Sequence, residues 1–539
     1  MKNKNAVCER IVLFAGALIY ALLYAMCSQV DERGYTIAGE GIRRFAIVFP
    51  VALTVLYLLF RYVLRRTEMV CSSEQMKPLR FFGTWALIFA CYIPVFLFVY
   101  PGTFLYDTRS QVMQFVPGQY SEFHPLLHTV FLGFCMSLYD FLQSYEKCAA
   151  VYSLIQMLLV SACFAAACSS IMRSISKKAA NIATAFFALH PLNVLFASNC
   201  TKDVLFSAFL TLFFSLCLEE IRLQRLSCRR RILQIVSGVL ACLLRNNMIY
   251  AMVVWTVILV SRRKAFIKTA LYTAVTILIS YVAANGMAFA LHADEGRIVE
   301  MLSVPVQQIV RVRVLTPEKL TREEKDQMDI VFRADLQAPE KTYEEYEPTI
   351  SDPMKGRMND EYLKQNFWTL GKMWLDVGMR CPRIYMDAFL NLALGSLYPY
   401  REYHVVRNYV EFEGDELMSF YGLPSFTLPG RFASVRKWIK TEICETGANH
   451  IPIVKYLFNT GLYYWVLLLF MLYEAYCGNW NRVTILLLPA LLWGTYLLGP
   501  VMQGRYLYPF VCMLPLFVLR PKQETADTSG IKGGYTDDV

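Results

Sequence analysis

Apolar residues along the chain fall in blocks of 13 to 27 residues, separated by short charged knots and one long polar stretch. The blocks run at 11–27, 45–64, 81–100, 148–171, 179–198, 204–218, 232–244, 248–261, 265–291, 456–477, 482–500 and 505–519. A bilayer's hydrocarbon core is crossed by about 20 helical residues, so blocks this long and this poor in charge read as spans. Blocks 232–244 and 248–261 are short, yet basic clusters at both ends force a hairpin whose tip is Arg245, Asn246 and Asn247; tilt or local thinning accommodates them. The pattern predicts an all-α polytopic membrane protein of about twelve transmembrane helices.

Charge sets the expected orientation, because Lys and Arg resist translocation. Basic residues cluster at Arg61, Arg65, Arg66, Lys77 and Arg80, at Arg173, Lys177 and Lys178, at Arg222, Arg225 and Arg229–Arg231, and at Arg262–Lys264 and Lys268. These are alternate loops, so both termini are expected in the cytoplasm of a cell with the chain in its plasma membrane. The first block, Ile11–Cys27, follows Lys2, Lys4 and Arg10 and has no convincing cleavage pattern after it, so it reads as a retained first helix. Segment Thr129–Leu142 is expected to be an interfacial helix on the outer face, since a span there would push Arg173, Lys177 and Lys178 outside.

The expected organisation is an N-terminal hairpin with its loop (1–80), a membrane core (81–291) with a chemically rich first outer loop (101–147), and an extracytoplasmic region (292–455). C-terminal helices (456–520) and a disordered cytoplasmic tail (521–539) follow. Tyr- and Glu-rich segments and turn signals such as Leu428-Pro429-Gly430 predict a small mixed domain in 292–455.

Composition narrows the function classes. Among 539 residues 56% are hydrophobic and 18% charged, with mean hydropathy +0.37, which excludes a soluble, secreted or disordered protein. The net charge of +10 is spread over membrane-flanking loops and is no argument for nucleic acid. The 16 cysteines show no CxxC pair and no zinc spacing. Cys200, Cys381 and Cys444 fall on the expected outer side, which leaves a Cys381–Cys444 disulfide conceivable.

Cations on the outer side need an explanation, and three sit on short outer turns: Lys202 in NCTKD, Arg245 in LRNN and Arg505 in QGRY. A charge at the centre of a span costs about 2.5–3.5 kcal/mol, less at its end. Snorkelling to the headgroups explains any one of them alone. Three together, beside Asn199, Thr201, Asp203, Asn246, Asn247 and Gln503, point to one membrane-level cavity with an anionic partner, for which a lipid phosphate is the natural candidate. In the first outer loop, Asp107 reads either as a general base or as a helix cap in DTRSQ. His124 and His128, four apart, read either as ligands of a metal or as interfacial polar residues, with Pro125 breaking the helix at its start.

An acidic residue after an early span, a His-Pro pair leading an interfacial helix, a TKD turn, an LRNN tip and a late QGRYLYP together resemble the GT-C superfamily of membrane glycosyltransferases. The nearest likeness is to a bacterial branch with YDT..Q and HP..HT loops, distantly akin to protein mannosyltransferases and the aminoarabinose transferase. The resemblance runs from about Arg80 to Arg520.

It implies transfer of a sugar from a polyprenyl-phosphate donor to a glycan, lipid or protein acceptor on the outer face. Asp107 and Asp203 match the acidic catalytic positions, and Lys202, Arg245 and Arg505 the basic turns facing the carrier phosphate. The first loop carries Asp-Thr where better-studied members carry paired acidic residues, so a divalent cation, magnesium or manganese, is an open expectation. The outer region, with Trp368, Trp374 and Trp438, is expected to bind the acceptor unless these aromatics serve packing. Two other classes compete: a transporter or flippase of lipid-linked oligosaccharide, against which the lack of an internal repeat counts, and an assembly subunit with an inactive transferase-like body.

Overall fold

A backbone removed from water must satisfy its own hydrogen bonds, and each apolar block of the sequence is accordingly taken up by helix. The computed structural model describes residues 2–72, 74–104, 106–115, 118–335, 337–400, 432–446 and 448–522. Six helices are long and apolar enough to cross a membrane: Ala6–Arg33, Ala38–Thr67, Pro78–Phe98, Tyr145–Ser174, Lys202–Leu223 and Phe266–Ala290. Leu126–Leu142, Asn247–Ser261 and Gly504–Val518 are apolar but shorter. The fold is all-α, with four two-residue strands forming two short parallel pairs among the described residues.

Local chemistry explains where several helices break. The Lys177–Leu189 helix stops at His190, which takes an extended conformation because Pro191 follows it. Leu126–Ser137 starts directly after Pro125. The Lys202–Leu223 helix is the hub: it packs on Tyr145–Ser174, Cys228–Leu244 and Gly504–Val518, and most of its side chains are buried.

The turns between these helices gather in two sets. In one, Thr103–Phe104 pairs with Asn199–Cys200, Arg245 reaches Asp203, and the Gly34 carbonyl accepts from Arg311 at 2.6 Å. In the other, Glu68–Met69 pairs with Arg520–Pro521, Ser72 N–H donates to the Ile175 carbonyl at 3.0 Å, and Arg173 meets Glu219 at 2.8 Å.

The described residues of the polar region differ from the mixed domain expected of it. Among its described residues the regular elements are all helical, with only isolated bridges besides. The reason is visible in its helix starts: Thr321 and Glu324 form a capping box, Asn359 caps Asp360–Gln365, and Pro317, Pro339 and Pro382 occupy first turns. These helices share a core around Val310, Val312, Met354 and Val377. They rest on the first set of turns, where Ser351 N–H donates to the Pro500 carbonyl at 2.9 Å and Asp387 accepts from the Thr36 hydroxyl at 2.7 Å. Trp374 packs on Tyr385 and donates to Gln308 at 3.0 Å, whereas Trp368 is 85% exposed and Trp438 half-exposed.

Cys381 is a free, buried thiol, so it carries no disulfide; the side chain of Cys444 lies outside the described residues. His404, the Leu428-Pro429-Gly430 turn and the tail from 523 onward also lie outside them.

Candidate functional site

The first outer loop is pinned before it reaches Asp107. Gly102 has φ +133°, and a Cβ there would stand 2.9 Å from the Ser198 carbonyl and collide with the Ser153 hydroxyl, so only glycine allows the approach. Thr103–Phe104 then pairs in parallel with Asn199–Cys200, and Asn199 Nδ2 donates to the Thr103 hydroxyl at 2.8 Å. The Thr108 hydroxyl donates to the Cys200 carbonyl. These bonds lock the start of the Tyr106–Phe115 helix against the turn that begins Lys202–Leu223, bringing two residues 95 positions apart into contact.

Asp107 is 5% exposed, and its Oδ2 accepts from Lys202 Nζ at 2.5 Å and from Arg505 Nη1. The side chain therefore does not cap: it lies in the first turn of its helix and points at cations from two other elements. Burial by itself would raise the carboxyl, but Lys202 and Arg505 outweigh it and hold Asp107 well below the usual carboxylate range. The group is a fixed anion.

Arg245 does not join that pair. It binds Asp203, a fully buried carboxylate that Thr201 contacts through its hydroxyl at 3.3 Å. The two clusters nevertheless adjoin through Tyr506: Arg245 Cζ lies 4.5 Å and Arg505 Cζ 5.3 Å from its ring centroid, and Tyr496 stacks on the same ring at 5.2 Å. Lys202 and Arg505 thus meet at Asp107 and Arg245 adjoins them across Tyr506, with Asp203 the counter-charge of Arg245 and not a second open carboxylate.

The two histidines part company. His128 spends both ring nitrogens on protein, Nδ1 on Gln111 at 2.9 Å and Nε2 on Tyr152 at 2.7 Å, and so offers no lone pair to a metal. Tyr152 donates on to Gln156, whose amide donates to the Ala197 and Asn199 carbonyls at 3.0 and 2.7 Å. His128 is thus part of a buried brace under the Asn199 turn. His124 Nδ1 lies 3.3 Å from Lys202 Nζ, which has only protons to give, so Nδ1 accepts and Nε2 carries the hydrogen. Burial, then the Lys202 charge, pushes its pKa down to about 3. Its Nε2–H is buried without a partner among the described residues, an orphan donor at the edge of the cluster.

Resident magnesium or manganese does not fit this donor set. Among the described residues no group of three His, Cys, Asp or Glu side chains converges as ligands would. Two cations already face the carboxylate, and both would repel a divalent ion beside it.

A family model described as a family of unknown function (DUF6020) matches residues 115–531, well over half of the chain. The chain belongs to the DUF6020 family. No curated protein and no solved structure matches it. The DUF6020 match includes His124, His128, Lys202, Asp203, Arg245 and Arg505, and begins eight residues after Asp107. Tyr496, Tyr506, Gln111, Tyr152 and Gln156 also contribute to the site, although none of them stands out for a role along the chain. Gln111 alone left a trace, standing four residues after Asp107 and so on the same helix face.

Proposed function

We propose that this protein is a multi-pass membrane glycosyltransferase. It moves a sugar from a polyprenyl-phosphate donor to an acceptor on the extracytoplasmic face, in cell-envelope glycan or glycoconjugate synthesis. In this reading twelve helical segments span the membrane, both termini are cytoplasmic, and the region 292–455 is the acceptor-side domain. Its support is the coincidence of each apolar block with helix, and the segregation of the basic clusters to the set of turns remote from Asp107.

One observation carries the functional reading: a nearly dehydrated carboxylate, Asp107, shares a single oxygen between Lys202 and Arg505, with the Asp203–Arg245 pair behind them. Buried charge of this kind is expensive and marks a site that handles charge. A carrier phosphate is anchored in lipid and presents its anion at helix-end depth, where it competes with Asp107 for the same two cations.

That competition gives the chemistry. With the cations committed to Asp107 the carboxylate is a weak base. When the donor phosphate takes a share of Lys202 and Arg505, the carboxylate loses counter-charge and its proton affinity rises. The acceptor hydroxyl oxygen then attacks the anomeric carbon and its proton passes to Asp107. The bond from that carbon to the phosphate oxygen breaks, and polyprenyl phosphate leaves with inversion at the anomeric centre. Lys202 and Arg505 stabilise the charge growing on the leaving phosphate; one well-placed donor contributes about 3–4 kcal/mol. Asp203 and Tyr506 hold Arg245 toward the same charge. The His124 Nε2–H supplies a donor for an incoming oxygen.

The test is transfer from a radiolabelled polyprenyl-phosphate sugar by purified wild type and Asp107→Asn. Loss of product in a folded variant is expected. Turnover near wild type removes Asp107 as the base.

A further inference from the structure

The opposite ends of the helices carry a second gathering of charge. Arg520 pairs with Glu474 at 3.4 Å and with Glu68. Arg482 pairs with Glu474 at 3.1 Å and donates through Nη2 to the Leu516, Phe517 and Leu519 carbonyls at 3.0, 3.1 and 3.0 Å. Arg222 is near enough to bear on the Arg482 charge, yet among the described residues it has no ion pair; its Nη2 meets the Cys71 sulfur. The nearby carboxylates are taken: Glu219 is shared by Arg173 and Arg230, and Glu220 is bound to Arg231. Among the described residues, Arg482 and Arg520 take up Glu474 and Glu68, and Arg222 stands beside them with no carboxylate of its own.

Arg222 borders a cavity of about 210 Å³, lined also by Ser174, Ser215, Asn479, Asn481 and Arg482. Asn481 lies in the first turn of the 18-residue Trp480–Leu497 helix, which Asn479 caps. The Arg482 and Val483 N–H groups are taken by Asn479, which leaves the Trp480 and Asn481 N–H groups at the helix start to favour an anion. Lys202 begins the same helix that Arg222 nearly ends, so at 1.5 Å per residue the cavity lies about 30 Å from the Asp107 cluster.

We infer that this cavity is a second, separate phosphate-binding site, in which Arg222, Asn481 and the start of the Trp480–Leu497 helix hold a phosphate group. Arg222 supplies the charge and a forked pair of donors, the Asn481 amide a third, and the helix start completes the tetrahedral shell. A lipid headgroup and free inorganic phosphate share this chemistry. The cavity takes the headgroup and leaves its chains in the surrounding lipid.

The full chain, purified in a neutral detergent, tests the site by thermal unfolding and by equilibrium dialysis with radiolabelled phosphate. One arm adds inorganic phosphate against chloride at equal ionic strength, and the other adds phosphatidate against phosphatidylcholine in mixed micelles. Wild type should be stabilised in at least one arm, phosphatidate alone identifying a headgroup and inorganic phosphate a free ion. Arg222→Gln should weaken that response about tenfold, Arg222→Lys should restore part of it, and Asn481→Ala, an exposed change that spares the fold, should weaken it to a lesser degree. No response in either arm, or a response that Arg222→Gln and Asn481→Ala leave unchanged, overturns the site.

Discussion

Asp107 and His124 illustrate how far a neighbour alters a side chain. Asp107→Asn removes the shared anion and leaves Lys202 and Arg505 facing each other. Breaking a buried pair from one side costs about 3–5 kcal/mol, so a lower melting temperature is expected beside the lost turnover. Relieved of their internal partner, the two cations should hold polyprenyl phosphate more tightly, so binding should strengthen while the rate collapses, a split that simple misfolding does not produce. The pH dependence follows from opposite kinds of group. Asp107 is held below its ordinary value, so its stabilisation is complete above pH of about 4 and fades only below that. His124 is held down to about 3 from an ordinary 6.5, so the unfolded chain takes up a proton first, and stability falls as pH drops from 6.5 toward 3. Melting curves at pH 7.5 and 5.0 should therefore differ less for His124→Gln than for wild type; equal differences would assign the acid loss to another group.

Elements meet in this protein through a few short contacts that hydropathy does not register. The Thr103–Phe104 and Asn199–Cys200 pair and the approach allowed by Gly102 carry Asp107 to Lys202. Gly102→Ala should cut transfer at least tenfold while the helical content by circular dichroism stays unchanged, because the clash moves the loop and not the helices. That a helix begins near Pro125 was legible, since a proline shapes its own backbone, although it starts at Leu126 and not at the expected Thr129. The partners of His128 were not: its four-residue spacing from His124 suggested a metal face, but Gln111 and Tyr152 arrive from other helices and consume both nitrogens. Likewise Asp203 read as a catalytic carboxylate because only the folded chain brings Arg245, 42 positions later, onto it.

Over the whole molecule, the two sets of turns make a prediction independent of any chemistry. Cys228 is exposed and begins the Cys228–Leu244 helix at the end remote from Asp107. A membrane-impermeant maleimide should leave it unlabelled in intact cells and label it after permeabilisation, read at the Cys228 peptide by mass spectrometry. Labelling in intact cells would reverse the proposed orientation.

The sequence by itself determined the helical class, the approximate bounds of each apolar helix and the residues that needed explaining. Hydropathy and the cost of burying a lone charge act within a single segment and can be read without knowing what lies beside it. The helical make-up of the polar region was partly hidden, because segments such as Pro339–Tyr343, Asp352–Arg357 and Asp360–Gln365 are too short for a helical period to show. Only the tertiary structure decided which cation answers which carboxylate: Lys202 and Arg505 on Asp107, Arg245 on Asp203, and Arg222 without an ion pair among the described residues. Coulomb energy falls with distance through a low dielectric, so pairing follows from where the helix ends come to rest, and chain order carries little of that information.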